Sequence, residues 1–383
     1  MGQIWEVINV DRRERDLAGG TKLQGLFFYE DMGKLYHALW IPRMPKVVDK
    51  WLSHGPIVSQ PSSLIGKLST EELDMIFEAI LPAPAVGTEG DLTANFLSCI
   101  FLAICCKRLL AVGKPHILRG YIAREARAAD CRLVCLGEYA GSDDQAPPGM
   151  LTEAELKEIA TTKMVWEDGD IAEYGEERRD KLVMERRLHI FAVELYTPLA
   201  KVWRALDGAL SDKLYDSREE LGSACSLDRD MITALAGQPT YRSGPNVLYN
   251  LVKGEYVRED ELVVCGKDPK NVTLVHALLS RICYSSDWGF VCEICGSEVA
   301  STFKKGPWAG DRFCIRSARD GRPVLKAGAG FTEWRDVTKE VNVFLRQLWK
   351  GVMGEDSPVE EADHQEEENG EESGEDSESD GSE

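Results

Sequence analysis

Between Asn95 and Val112 the chain runs FLSCIFLAICCKRLLAV after the asparagine, apolar on nearly every side of a helix. The run is too short to cross a bilayer, which takes about 20 apolar residues. A helix that is apolar all round is stable in water only when other elements wrap it, so the rest of the chain has to build a core around this one. With 383 residues, 43% of them hydrophobic, it has ample material to do so.

The flanking sequence offers both strands and helices. Ile4–Val10 and Gly25–Tyr29 combine β-branched and aromatic residues on either side of the polar stretch Asp11–Thr21, the pattern of two strands joined as a hairpin. Leu35–Ile41 is a third apolar stretch, closed by Pro42 and Pro45, which have no amide to donate to a sheet ladder. Leu133–Tyr139, Val263–Cys265, Trp288–Cys292 and Asp311–Ser317 read as further strands. Leu73, Ile76, Phe77 and Ile80 fall at helix spacing behind Ser69 or Thr70 as cap, and Gly113 followed by Pro115 reads as the end of the apolar helix. Thr152 and Glu155 have capping-box spacing and open a helix to about Thr161; Asp180–Tyr196 and Leu199–Leu210 are helix candidates separated by Pro198. Val337, Val341, Phe344, Leu345, Leu348 and Val352 define one apolar stripe, with Gly354 where a helix would stop.

The expected fold is therefore α+β: a small helical segment integrated with a β-rich body and a C-terminal amphipathic helix. The expected divisions are a β-rich segment at 1–60, the helical segment at 61–128, an α+β body at 129–354 and a tail at 355–383. Glu355–Glu383 holds 15 acidic residues and no Lys or Arg, a composition too poor in apolar surface to offset chain entropy, so disorder is expected there. That tail accounts for most of the formal charge of −20 and leaves 50 acidic against 45 basic residues in the body.

A body without a basic excess argues against phosphate-driven binding of nucleic acid. The basic stretch of Lys107, Arg108, Lys114, Arg119, Arg124 and Arg127 reads as a solvated helix face rather than a nucleic-acid patch. No apolar run reaches membrane-spanning length and the start lacks a signal-peptide core, so a cytoplasmic or nuclear location is expected. The 11 cysteines are then reduced thiols packed as small hydrophobes.

Leu68-Ser-Thr-Glu-Glu-Leu-Asp-Met-Ile-Phe77 resembles the opening helix of F-box domains, and Phe101-Leu-Ala-Ile-Cys-Cys-Lys-Arg-Leu-Leu110 resembles the family's apolar helix ending in Cys-Lys-Arg. Ser69 stands where the family usually has Pro, Leu109 where it usually has Trp, and the linker Leu81–Thr93 is long for it. The resemblance implies a module that keeps apolar side chains outward for a partner groove to bury. That partner would be the Skp-type adaptor subunit of a cullin-RING ubiquitin ligase, with Leu68, Leu73, Ile76, Phe77, Cys106 and Leu109 as the contact surface. The plainer reading makes these residues ordinary core. More broadly, MGQIWEVINVDRRE, ADCRLVCLGEYA, NLVKGEYVREDEL and WAGDRFCI are similar to a family of proteins of unassigned activity from mushroom-forming (basidiomycete) fungi. ADCRLVC and AGDRFCI also resemble each other, as an internal repeat would.

Signatures of chemistry are sparse. Cys292-Glu-Ile-Cys295-Gly296 has the spacing of half a zinc knuckle, with Cys265, Cys283, Cys314 and His276 as possible further ligands, but no second Cys-x-x-Cys completes it. The other reading is cysteines packed in a core. His189 beside Phe191 reads as a packed or surface residue, and Gly328 and Gly330 lack dinucleotide-loop spacing. No nucleophile elbow or Walker-type loop occurs, so neither enzyme nor cofactor is expected. In the tail, Ser357, Ser373 and Ser377 each precede an acidic residue by three positions, the spacing acidophilic kinases favour. The leading expectation is an F-box-like adaptor; the alternative is a non-enzymatic scaffold whose tail binds basic partners.

Overall fold

The structure is a computed structural model and describes residues 4–18, 20–28, 32–57, 62–81, 89–138, 146–162, 188–202, 231, 233–235, 239–262, 272–285, 304–324 and 331–353. Two sheets and a shell of helices make an α+β fold. In the first sheet, β1 (Ile4–Asn9) lies between β2 (Glu14–Arg15) and β4 (Leu133–Gly137); β5 (Thr197–Pro198) and β8 (Cys283–Tyr284) form the edges, and β3 (Thr21–Lys22) also pairs with β1. In the second, β6 (Asn246–Asn250) lies between β7 (Glu255–Arg258) and β9 (Phe313–Ser317), with β10 (Arg335–Asp336) beyond β7. The inner faces of both sheets share one core with α1 (Leu23–Phe28), α2 (Gly33–Leu39), α10 (Leu274–Ile282) and α11 (Thr338–Met353).

The same pairing pattern occurs twice. Asn9 faces Glu14 across the first hairpin and Asn250 faces Glu255 across the other, an identical loop length. In each hairpin the residue before the glutamate has a left-handed backbone, Arg13 at φ 53° and Gly254 at φ 68°. Next, Asn9 pairs with Leu133 of β4 as Asn250 pairs with Phe313 of β9. Glu14 then pairs in parallel with Thr197 as Glu255 does with Arg335, and in each case a helical stretch follows directly. Ala129–Cys135 and Ala309–Ile315, the two pieces that look alike in sequence, thus occupy equivalent places. They also meet: Arg132 bridges Arg312, Asp130 donates to Phe313, and Gly310 donates to Leu133.

The halves are interlocked. The residue after α2, Trp40, pairs with Ile315 of the second sheet, and the residue after α10, Cys283, pairs with Cys135 of the first. Ala128 donates to Ala38 as Trp308 donates to Arg281, so each half's helix is stapled beside the strand it crosses to. Between Trp40 and Ala128 the first half carries a helical insertion: α3 (Lys46–Ser53), α4 (Leu64–Lys67), α5 (Thr70–Ile80), α6 (Glu89–Ile104) and α7 (Lys107–Arg124). The outer face of the first sheet is covered by 146–162, including α8 (Glu153–Thr161), and by α9 (Leu188–Leu195).

Several expectations change. Gly25–Tyr29 is not a strand but falls largely within α1, and Leu35–Ile41 within α2, because Leu23, Leu26 and Phe27, and likewise Leu35, Ala38 and Leu39, are buried at i, i+3, i+4 spacing. The hairpin partners of β1 are β2 and β3 instead. The apolar run is two helices, broken at Cys105–Cys106, and Gly113 and Pro115 lie inside α7 rather than ending a helix. The strand candidates 263–265 and 288–292, Gly328, Gly330 and the tail lie outside the described residues.

Candidate functional site

The helical insertion is built on α7. Gly113 and Gly120 let two neighbours approach it closely: a Cβ at Gly113 would sit 2.7 Å from the Phe77 ring and 3.0 Å from the Ala103 Cβ, and one at Gly120 would collide with Phe96. Phe77 stacks on His116 with ring centroids 5.4 Å apart, and Phe96 meets Tyr121 edge-on at 5.1 Å. A capping box at Ser69 and Glu72 fixes the start of α5.

Consequently Leu73, Phe77 and Leu109 are inward: each is at most 2% exposed, within the insertion's own core. The helix spacing put them on one face with the right neighbours, but that face turns toward α6 and α7 and does not await a partner. Leu68 and Cys106 are half-buried against the same core. Of the six residues expected to form the contact surface, Ile76 alone is exposed, at 38%. Beside it on α5, Met75 is 69% exposed; Leu64 and Ile65 on α4 are 83% and 44% exposed, and Phe101 on α6 is 43%. Nothing in the periodicity singled these residues out, since single exposed aliphatics are ordinary.

The basic stretch is spent inside the chain. Arg108 donates to the Gly66 and Leu68 carbonyls, tying α7 to α4 and to the start of α5. Lys107 donates to the Gly55 carbonyl at 3.0 Å, Lys114 pairs with Asp49 at 2.5 Å, and Arg119 lies 3.6 Å from Glu78. Arg124 and Arg127 are buried, on Glu125 and Glu14 respectively. Arg124 and Arg127 thus depart from the solvated face expected, while Lys114 and Arg119 keep to it, part-exposed and paired with acidic side chains of the chain itself.

Cys292 and Cys295 lie outside the described residues, as do Ser357, Ser373 and Ser377. Among the described residues no cluster of His, Cys, Asp and Glu is arranged to hold a metal ion. Cys283 lies beside Cys135 across the β4–β8 ladder, where burial pushes its thiol up, and burial pushes Cys314 up to about 12. His276 is engaged structurally, its Nδ1 accepting from the Thr273 amide at 3.1 Å and its Nε2 3.1 Å from the Phe27 carbonyl. His189 is buried, and that burial, with Arg15 nearby, lowers it to about 4.

No described helix is long and apolar enough to cross a membrane. Comparison of the chain with protein-family models, curated proteins and solved structures finds no match.

Proposed function

We propose that the chain is a non-enzymatic adaptor whose helical insertion docks the Skp-type subunit of a cullin-RING ubiquitin ligase through the outer faces of α4 and α5. The observation that carries this reading is the exposure of Leu64, Ile65, Met75 and Ile76 on a single insertion in one half of a duplicated body. Aliphatic side chains on the outer faces of two consecutive helices suit burial in a partner's groove. The F-box-like sequence at 68–77 and 101–110 supplies the identity of the partner. Leu73, Phe77 and Leu109 act beneath this surface, holding α5 against α6 and α7, while the two-sheet body serves target recognition and no covalent step is assigned to it.

The test is a pull-down of the full chain with the Skp-type subunit, comparing wild type with Met75→Asp plus Ile76→Asp. Both positions are exposed, so the variant stays folded, which circular dichroism checks. Retention by wild type and at least tenfold weaker retention by the variant supports the adaptor, since losing apolar anchors of this kind costs about 2 kcal/mol or more. No retention of wild type at micromolar concentrations overturns it.

A further inference from the structure

The outer faces of the two sheets are lined differently. On the outer face of the first sheet, Val10, Val134, Leu136, Tyr196 and Tyr284 are buried under Met150, Ile159 and Phe191. The pairing pattern sets Leu251, Cys314, Arg316, Trp334 and Ile41 at the equivalent places of the second half. Among the described residues, the cluster on this second face draws on the sheet itself and its borders at Ile41, Ala129 and Trp334, and the connection from β9 to β10 reaches it at Pro323 and Val324. What stands there is a cavity of ≈ 370 Å³ lined by the apolar Leu251, Ile41, Trp334 and Val324 with Cys314, and by the charged Arg312, Arg316 and Asp130.

The two arginines differ in availability. Arg312 is engaged, lying 3.0 Å from Asp11 and 3.9 Å from Asp130. Arg316 is half-buried and makes no ion pair or hydrogen bond through its guanidinium among the described residues, although it stands where the first half has the apolar Leu136. Among the described residues, arginines outnumber carboxylates around it, with Asp130 the one acidic residue of the cavity lining. Arg43 and Arg242 both lean on the one carboxylate of Asp320, and Arg43 is held below its ordinary value first by desolvation and then by Arg242 and Arg316. A partly desolvated guanidinium is stabilised by an anion presented in the right plane.

We infer that this cavity is a binding site for a small amphiphilic anion, an aromatic or branched apolar body carrying one carboxylate-like group that pairs with Arg316. The apolar body takes the place that Met150 and Phe191 fill in the other half, and the volume lies within the range of small-molecule sites. The cavity is lined mainly by the second sheet and meets the helical insertion at Ile122 of α7, while neither α4 nor α5 lines it, so this inference stands or falls independently of the adaptor reading.

Two fluorescent probes test it on the full chain: 1-anilinonaphthalene-8-sulfonate, and N-phenyl-1-naphthylamine, which has the same rings without the charge. Wild type is expected to bind the sulfonate saturably at one site, about tenfold or more tighter than the neutral amine, the contribution typical of a charge-assisted pair. Arg316→Leu, which installs the residue of the first half, removes that preference, while Arg316→Lys keeps most of it. Cys314→Phe fills the cavity and weakens both probes. Equal affinity of wild type and Arg316→Leu for the sulfonate overturns the inference, as does the absence of saturable binding.

Discussion

Phe77→Ala separates the inward reading of α5 from an outward one. The ring is fully buried, stacks on His116 and fills the space that Gly113 leaves open. Truncating a buried phenylalanine removes its transfer free energy and leaves a cavity, about 3–5 kcal/mol together. At about 2.1 cal/mol/K of unfolding entropy per residue, each kcal/mol moves the midpoint of a chain of this size by a little over 1 °C, so a fall of roughly 4–6 °C is expected by differential scanning calorimetry. Ile76→Ala, one residue earlier and exposed, is expected to stay within about 0.5 kcal/mol of wild type. Coupling gives a sharper check. Gly113→Ala places a methyl 2.7 Å from the same ring and is expected to cost about 1–3 kcal/mol through overpacking. Combined with Phe77→Leu, which vacates that space, it should cost less than the sum of the two single changes by about 1 kcal/mol. A Phe77→Ala variant within about 1 kcal/mol of wild type, or strict additivity of the Gly113 and Phe77 changes, would refute the packing argument.

Three other perturbations probe the body. Glu155 is held down at about 2, chiefly by its hydrogen bonds with Arg132, so its contribution is full above its ordinary value and is lost as pH falls from about 4.5 toward 2; Glu155→Gln removes that component of the acid transition and costs about 1–3 kcal/mol at neutral pH, read as the denaturant midpoint against pH. His189 is lowered to about 4, so it favours the folded state above 6.5 and destabilises it progressively as pH falls from 6.5 toward 4, and His189→Phe flattens stability across that window. Arg127→Met strands the buried Glu14 carboxylate at an expected cost of about 3–5 kcal/mol, while adding Glu14→Leu recovers most of the loss, both measured by urea denaturation at neutral pH.

Parts of this arrangement are legible in the sequence. The boxes at Ser69/Glu72 and Thr152/Glu155 appear as their spacing predicts, because a cap is a local hydrogen-bond pattern. The likeness of ADCRLVC to AGDRFCI identified equivalent strands because the left-handed residue and the arginine recur at fixed offsets from them. The short helices α1 and α2 escaped because six or seven residues fit a strand period nearly as well as a helical one. Gly113 looked like a stop because the sequence cannot distinguish a glycine that ends a helix from one that admits a ring. On α5, periodicity showed that Leu73 and Phe77 share a face but not which way that face turns. Arg316 carried no sequence signal at all: its significance arises only from pairing with Val247 and from the half of the chain in which Leu136 holds the same place.

The crossing of the two halves also governs the order of assembly. During synthesis, β4 emerges with its far edge open, and the strand that closes it, Cys283–Tyr284, is made only after the second hairpin has appeared. Trp40 waits longer still, for Ile315. At ribosomal rates of about 5–20 residues per second these are waits of roughly 7–30 s for β4 and roughly 14–55 s for Trp40. The nascent chain is thus most vulnerable to misassembly before Ser317 is complete, and a ribosome stalled earlier would present a client for chaperones rather than a folded half.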